Sequence, residues 1–307
     1  MLRALKILLI YCLVLFFGFA ALAQSGSGAP AASSQSAKLT LFLRTARTSP
    51  DDLELGGELA GLPAGETRFL THDDLLSLPQ VTFSAGGDEH FANGTKLTGV
   101  RIEELDKRVA AAPDRDMAVA ICSDKYRANY PGAYVAAHHP VLVLLIDGKP
   151  PANWPQDAEY HKFDMGPYIV SHENFAPSFK ILSYNEQPQI PWGIVRIEFR
   201  NEQAVLNSIA PRGPRAQDPA VVAGYRIARE ECFLCHNSGR EGGRKAGVPW
   251  AVLAALASSN PKMFKGYVRN PKSQNPGANM PPEANYDNAT LDAVAAYFQS
   301  ARGPASR

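Results

Sequence analysis

Cys232 and Cys235 stand three residues apart, and His236 follows at once. Two thiols at this spacing can add to the two vinyl groups of one haem, and the adjacent imidazole then meets the iron from one face. The spacing matters because both tethers and the ligand must reach a single ring. A Cys-x-x-Cys pair alone also serves as a redox dithiol or as half of a zinc site. Of the 4 cysteines, the other two, Cys12 and Cys122, form no second pair to complete a zinc site. A dithiol oxidoreductase sets its pair between a strand and a helix, whereas Cys232 follows a helical pattern in a Pro- and Gly-rich region. Covalent attachment of one haem is therefore expected.

The far side of such an iron needs a second ligand. Met280, in Asn275-Pro276-Gly277-Ala278-Asn279-Met280-Pro281-Pro282, sits in a loop stiffened by three prolines that can hold a thioether in place. Its bland alternative is an ordinary loop apolar residue. Met263 competes, but it falls mid-helix in Lys262-Met263-Phe264 and is expected in the core. With His236 and Met280 both on the metal, no position stays open, which favours electron transfer over substrate chemistry.

The chain begins as a secretion signal does: Arg3 and Lys6, an apolar run from Ile7 to Phe19, then Ala21-Leu22-Ala23 as a cleavage site before Gln24. Residues 1–23 are read as a signal peptide and 24–37 as a flexible Ser/Gly/Ala leader, placing the mature protein in the periplasm with no membrane span. An uncleaved anchor is the alternative reading. Cys12 leaves with the signal, so three cysteines remain, an odd count that argues against a disulfide framework. Net charge is +1, which gives no reason to expect nucleic-acid binding.

Residues 38–203 mix short helices with apolar strands and read as an α+β domain. Lys38 to Leu43, Met117 to Cys122 and Pro140 to Ile146 read as strands, and Gly193 to Phe199 alternates as a half-exposed one. Thr71 with Asp74 three residues on marks a helix start, and Ile102, Leu105 and Val109 share a helix face. Residues 204–218 hold Pro211 and Pro214 and read as a linker. Residues 219–302 read as helices: Val221 to Arg229, Pro249 to Ala257, one capped by Asn260-Pro261, and a last one starting at Asn288 or Thr290.

Residues 218–302 resemble the class I cytochrome c family. Gly224-Tyr225, Cys232-Phe233-Leu234-Cys235-His236, Tyr267 to Lys272 running into Met280, and Tyr297-Phe298 carry the likeness. The resemblance implies an all-α domain whose first and last helices cross through Gly224, Tyr225 and Tyr297. It also implies a hydrogen bond from the proximal His236 to a proline carbonyl, with Pro249 of Gly247-Val248-Pro249 the nearest counterpart. Residues 40–200 are similar to the sulfite-oxidase-type molybdopterin-binding domain at Leu55 to Leu59, Thr71 to Pro79, Leu97 to Leu105, Ile146 to Pro151 and Gly166 to Val170. Catalytic members of that family ligate molybdenum through a cysteine before the stretch matched by Leu97 to Leu105. No cysteine lies between Gln24 and Ile121 here, and Cys122 reads as a small buried core thiol.

The resulting expectation is an exported monohaem c-type cytochrome that transfers single electrons, with a first domain that docks a partner or ligand. The alternatives are a fused molybdenum-cofactor oxidoreductase feeding its own haem and a ligand sensor. Arg240, Arg244, Lys245, Lys265, Arg269 and Lys272 form a basic rim suited to an acidic redox partner, or a merely solvated surface. His90, His138, His139, His161 and His172 read as surface or core histidines.

Overall fold

The computed structural model describes residues 41–301 apart from 64, 87–90, 110–113, 155–164 and 178. The expected signal and leader, with His90 and His161, lie outside the described residues. Of the strand expected over 38–43, residues 41–43 form none; Arg44 makes a single bridge to Phe69.

The strands are β1 (Leu53–Gly57), β2 (Arg68–Leu70), β3 (Val81–Ser84), β4 (Lys96–Arg101), β5 (Met117–Cys122), β6 (Arg127–Pro131), β7 (Val141–Ile146), β8 (Ile169–Ser171), β9 (Lys180–Ile181), β10 (Tyr184–Asn185), β11 (Ile194–Arg200), β12 (Asn237–Ser238) and β13 (Glu241–Gly242). The helices are α1 (His72–Leu76), α2 (Ile102–Val109), α3 (Gly132–His138), α4 (Glu202–Leu206), α5 (Pro219–Ile227), α6 (Trp250–Ser259), α7 (Pro261–Arg269), α8 (Pro271–Gln274) and α9 (Asn288–Ser300). A five-stranded sheet runs β2-β1-β11-β5-β6 and a four-stranded one β3-β4-β7-β8. Only β1 and β11 pair in parallel within them. The architecture is α+β.

The continuous apolar runs have a common cause, which is burial on both faces of a sheet. Leu142 and Leu144 of β7 point into the core between the sheets, while Val141, Val143 and Ile146 pack with Phe83 and Trp154 on the other side. Ala118, Ala120 and Cys122 of β5 face that same central core. Met117 and Val119, on the opposite face, pack instead with Val221, Ile227 and Tyr297 of the helical part. The helices after residue 218 are therefore the second cover of this sheet.

β11 alternates as expected, but its polar face is not half-exposed. Glu54, Arg196, Glu198, Arg200, Glu241 and Arg127 form a chain of ion pairs across the back of the sheet, with successive N–O distances of 2.6, 2.7, 2.9, 2.6 and 2.9 Å. Burial would raise the Glu198 carboxyl; Arg196, Arg200 and Arg127 outweigh it and hold it below the usual range. Glu241 belongs to β13, so the chain ties the helical part to the sheet. The segment read as a linker is docked at its start. Val205 of α4 and Ile209 are buried, and the Tyr297 hydroxyl donates to the Ile209 carbonyl at 2.6 Å.

Local signals explain most helix ends. Thr71 and Asp74 form the capping box of α1, and Asn260 and Asp287 cap α7 and α9. α3 was not anticipated; it follows Pro131 and stops where His139 turns left-handed (φ 45°). Gly224 lets α5 cross α9: a Cβ there would lie 2.0 Å from the Ala293 carbonyl oxygen and 2.8 Å from Tyr297 Cβ. Tyr225 packs against Tyr297 at 5.6 Å between ring centres, with the rings tilted by 46°. No helix among the described residues is long and apolar enough to cross a membrane.

Candidate haem-attachment site

α5 does not end cleanly. It passes into one π-type turn, Ala228–Cys232, closed by the Phe233 amide donating to the Ala228 carbonyl at 2.9 Å. Such turns often sit at functional positions. The Cys232 carbonyl then accepts from the amides of Cys235 (3.3 Å) and His236 (2.9 Å), so Cys232, Cys235 and His236 ride on one tight turn. The short β12–β13 hairpin folds back onto it. Gly243 permits this, since a Cβ there would meet the Leu234 carbonyl oxygen at 1.8 Å.

His236 is buried, and its Nδ1 lies 2.7 Å from the Val248 carbonyl oxygen. A carbonyl only accepts, so Nδ1 carries the proton and Nε2 is left as a lone-pair donor. Burial pushes the imidazole pKa down, opposed by the Val248 bond. A neutral, oriented imidazole is what a metal requires. The resemblance pointed to a proline carbonyl; the partner is instead the residue before Pro249, whose ring stiffens the backbone on the other side of that carbonyl.

Cys232, Cys235 and Cys122 are all free thiols. Burial, then Glu231 and Glu283, push the Cys232 thiol up; burial carries Cys235 to about 11. A dithiol oxidoreductase needs the reverse, a thiol made acidic. Among the described residues no group of three or more His, Cys, Asp or Glu side chains could hold a metal ion. Cys122 is buried in the apolar core with its thiol pushed up to about 12 by burial, as a core thiol would be.

Met280 is half-buried and packs against the same apolar cluster as Cys232. Its loop is held by Ala278 donating to the Asn275 carbonyl (2.9 Å) and by Glu283 donating to the Val268 carbonyl (3.1 Å). Met263 differs from expectation: it is exposed on the first turn of α7, because Phe264 and Val268 supply that helix's buried face.

Four residues around this turn carried no motif. Tyr184, on the β9–β10 hairpin, donates to Glu231 Oε1 at 2.7 Å. Burial, partly offset by that bond, pushes the Glu231 carboxyl up to about 8. Burial likewise raises Glu283. Tyr286 is buried with no partner for its hydroxyl among the described residues, and its ring packs edge-on to Tyr184 at 5.9 Å. The one available signal was Glu230-Glu231 standing where the α5 pattern meets Cys232.

The basic rim is partly spent. Lys245 pairs with Asp124 (2.7 Å) and Lys265 with Asp292 (2.6 Å), and Arg269 donates to Asn288 (2.8 Å). Arg240 and Lys272 are exposed. Among the histidines, His138 pairs with Glu186 at 3.4 Å and His172 bonds to Tyr134 at 3.0 Å, both buried.

No family model matches the chain, and no curated protein matches it. Among solved structures it is similar to the sulfane dehydrogenase SoxCD from Paracoccus pantotrophus, at a TM-score of 0.34 and 15% identity. That similarity covers 56% of this chain and 45% of the other, so the chain spans less than half of that neighbour.

Proposed function

We propose that this chain is an exported monohaem c-type cytochrome that passes single electrons, in which Cys232 and Cys235 would tether the haem and His236 and Met280 would hold its iron. The observation that carries the reading is His236: its ring is held by the Val248 carbonyl, and it stands on the same tight turn as Cys232 and Cys235. Haem, when bound, supplies one-electron iron chemistry at a potential set by its axial ligands. The chain's own residues do the rest. His236 presents Nε2, and the Val248 bond fixes its ring plane. Phe233 and Trp250, packed edge-on at 5.5 Å, keep water from the turn. The buried, unpartnered Tyr286 hydroxyl offers a donor to an oxygen on a ligand at this site. The strand-rich part is held fast against the helices and serves as the docking side for a redox partner, in keeping with the ionic and apolar contacts between the two.

Expression with a c-type maturation system tests this. Denaturing mass analysis is expected to show one haem added, lost when both cysteines become alanine. Met280→Ala is expected to keep the haem but lose the near-infrared sulfur-to-iron band. Unmodified mass would sink the reading. Stoichiometric molybdenum in the purified protein would favour the fused molybdenum oxidoreductase instead, in which Cys122 would have to leave its apolar surroundings to ligate the metal.

A further inference from the structure

The β9–β10 hairpin belongs to the strand-rich part, yet it packs away from the core between the sheets. Its Ile181 and Tyr184 are buried among side chains of the helical part. Ile181 pairs with Tyr184, so the loop is the two residues Leu182 and Ser183. Leu182 takes a left-handed φ of 54° and is 48% exposed. A bulky residue in that region costs free energy and persists only where its surroundings fix it.

The next two residues make the fixing contacts. Ser183 Oγ lies 2.6 Å from Thr290 Oγ1 and accepts from the Asp287 amide at 3.3 Å. The Ser183 amide donates to Thr290 Oγ1 at 3.3 Å. The Tyr184 ring packs edge-on to Tyr286 at 5.9 Å, and its hydroxyl donates at 2.7 Å to Glu231, the neighbour of Cys232. One hairpin therefore holds both the far end of the Met280 loop and the start of the Cys232 turn.

That far end bears on Met280 through a stiff arm. Pro281 and Pro282 follow Met280 at once, and each locks its φ near about −65°. Glu283 then donates to the Val268 carbonyl, and the Tyr286 amide closes a turn onto the Glu283 carbonyl, both at 3.1 Å. Arg269 of α7 grips the same end, through the Tyr286 carbonyl at 3.3 Å and Asn288 at 2.8 Å. An arm with so little slack carries a shift at Asp287 back to the thioether. We propose that Ser183 and Tyr184 are positioning residues for Met280, so that the strand-rich part sets how firmly the thioether stays on the metal. This rests on the haem site proposed above and adds a control to it.

Titrating the ferric, haem-loaded full chain with imidazole tests it, since imidazole competes with Met280 and abolishes the sulfur-to-iron band. Ser183→Ala is expected to let imidazole displace Met280 at least fivefold more readily, because the ligand-free loop is then more populated. Tyr184→Leu, which removes the ring beside Tyr286, is expected to act in the same direction. Thr71→Ala breaks the α1 capping box and is expected to lower the unfolding midpoint with imidazole affinity unchanged. An affinity unmoved by Ser183→Ala or by Tyr184→Leu, or raised as much by Thr71→Ala, would overturn the positioning role while the haem site stands. A wild-type protein that takes up no haem, or shows no such band, would instead remove the site on which the role rests.

Discussion

Replacing Gly224 by Ala pits two effects of opposite sign against each other. Alanine in place of glycine inside a helix is worth about 1 kcal/mol of propensity. At this position, however, the added Cβ would lie 2.0 Å from the Ala293 carbonyl oxygen, a backbone atom that cannot turn aside. Reaching ordinary contact moves α5 from α9 by over ~1 Å, and a gap of that size forfeits a quarter to a half of each dispersion well. Val221, Ile227, Val294 and Phe298, all buried at this crossing, are worth about 2 kcal/mol apiece when packed. The loss is then roughly 2–4 kcal/mol gross, and on the order of 2 kcal/mol net once propensity is set against it. That corresponds to a fall of about 4–8 °C in Tm. Gly266 in α7 is the control, because its Cβ would meet only the movable Gln274 side chain, at 3.3 Å. Gly266→Ala is expected to raise stability by up to ~1 kcal/mol. Thermal melts of both variants check the pair, and a Gly224→Ala protein as stable as wild type would refute the close-crossing argument.

Tyr297→Phe strands the Ile209 carbonyl and the Trp250 indole N–H, which now bond to that hydroxyl at 2.6 and 3.0 Å. A loss of about 2 kcal/mol in urea unfolding is expected, with no change if water replaces the hydroxyl. Arg127→Ala leaves Glu241 with Arg200 alone and is expected to cost roughly 3 kcal/mol and to speed proteolysis within residues 202–218; unaltered cleavage would count against the ion-pair chain as a tie. Glu231 has its carboxyl raised by burial to about 8, above its unfolded value. The native state therefore holds that proton more tightly, and this contribution is lost as pH rises from about 5 through 8. Urea midpoints across that window are expected to fall in wild type and to fall less in Glu231→Gln; identical slopes would contradict the assignment.

Local chemistry was legible in the sequence, and chemistry assembled from distant segments was not. The Thr71–Asp74 box, the caps at Asn260 and the Ile102, Leu105, Val109 face each depend on residues a few positions apart, and the structure bears them out. The Cys232 to His236 turn was equally plain as a pattern, but its orienting bond was not. Val248 contributes a backbone carbonyl, which any residue carries, so no side-chain signal marks it. Tyr184 reaches Glu231 across 47 positions, and Arg200 reaches Glu241 across 41. The reading of β11 as half-exposed failed for a related reason. Alternation shows that one face is polar, and ion pairs with a later segment decide whether that face meets water. Within residues 204–218 the buried Val205 and Ile209 could not be read off, because prolines break helices without keeping the chain off a surface. Met263 was placed in the core by its apolar character, although a thioether on the first turn of a helix has room to stay outside.

β5 is a wall with a room on either side. Ala118 and Ala120 furnish one room and Met117 and Val119 the other. A cloning boundary drawn near residue 218 would strip the plaster from one side, leaving a helical fragment with an open apolar flank and a sheet with its back uncovered. Fragments cut there are expected to aggregate or to co-purify as a complementing pair. The same wall fixes the strand-rich side and the Cys232 turn relative to each other, since both pack on the faces of one strand.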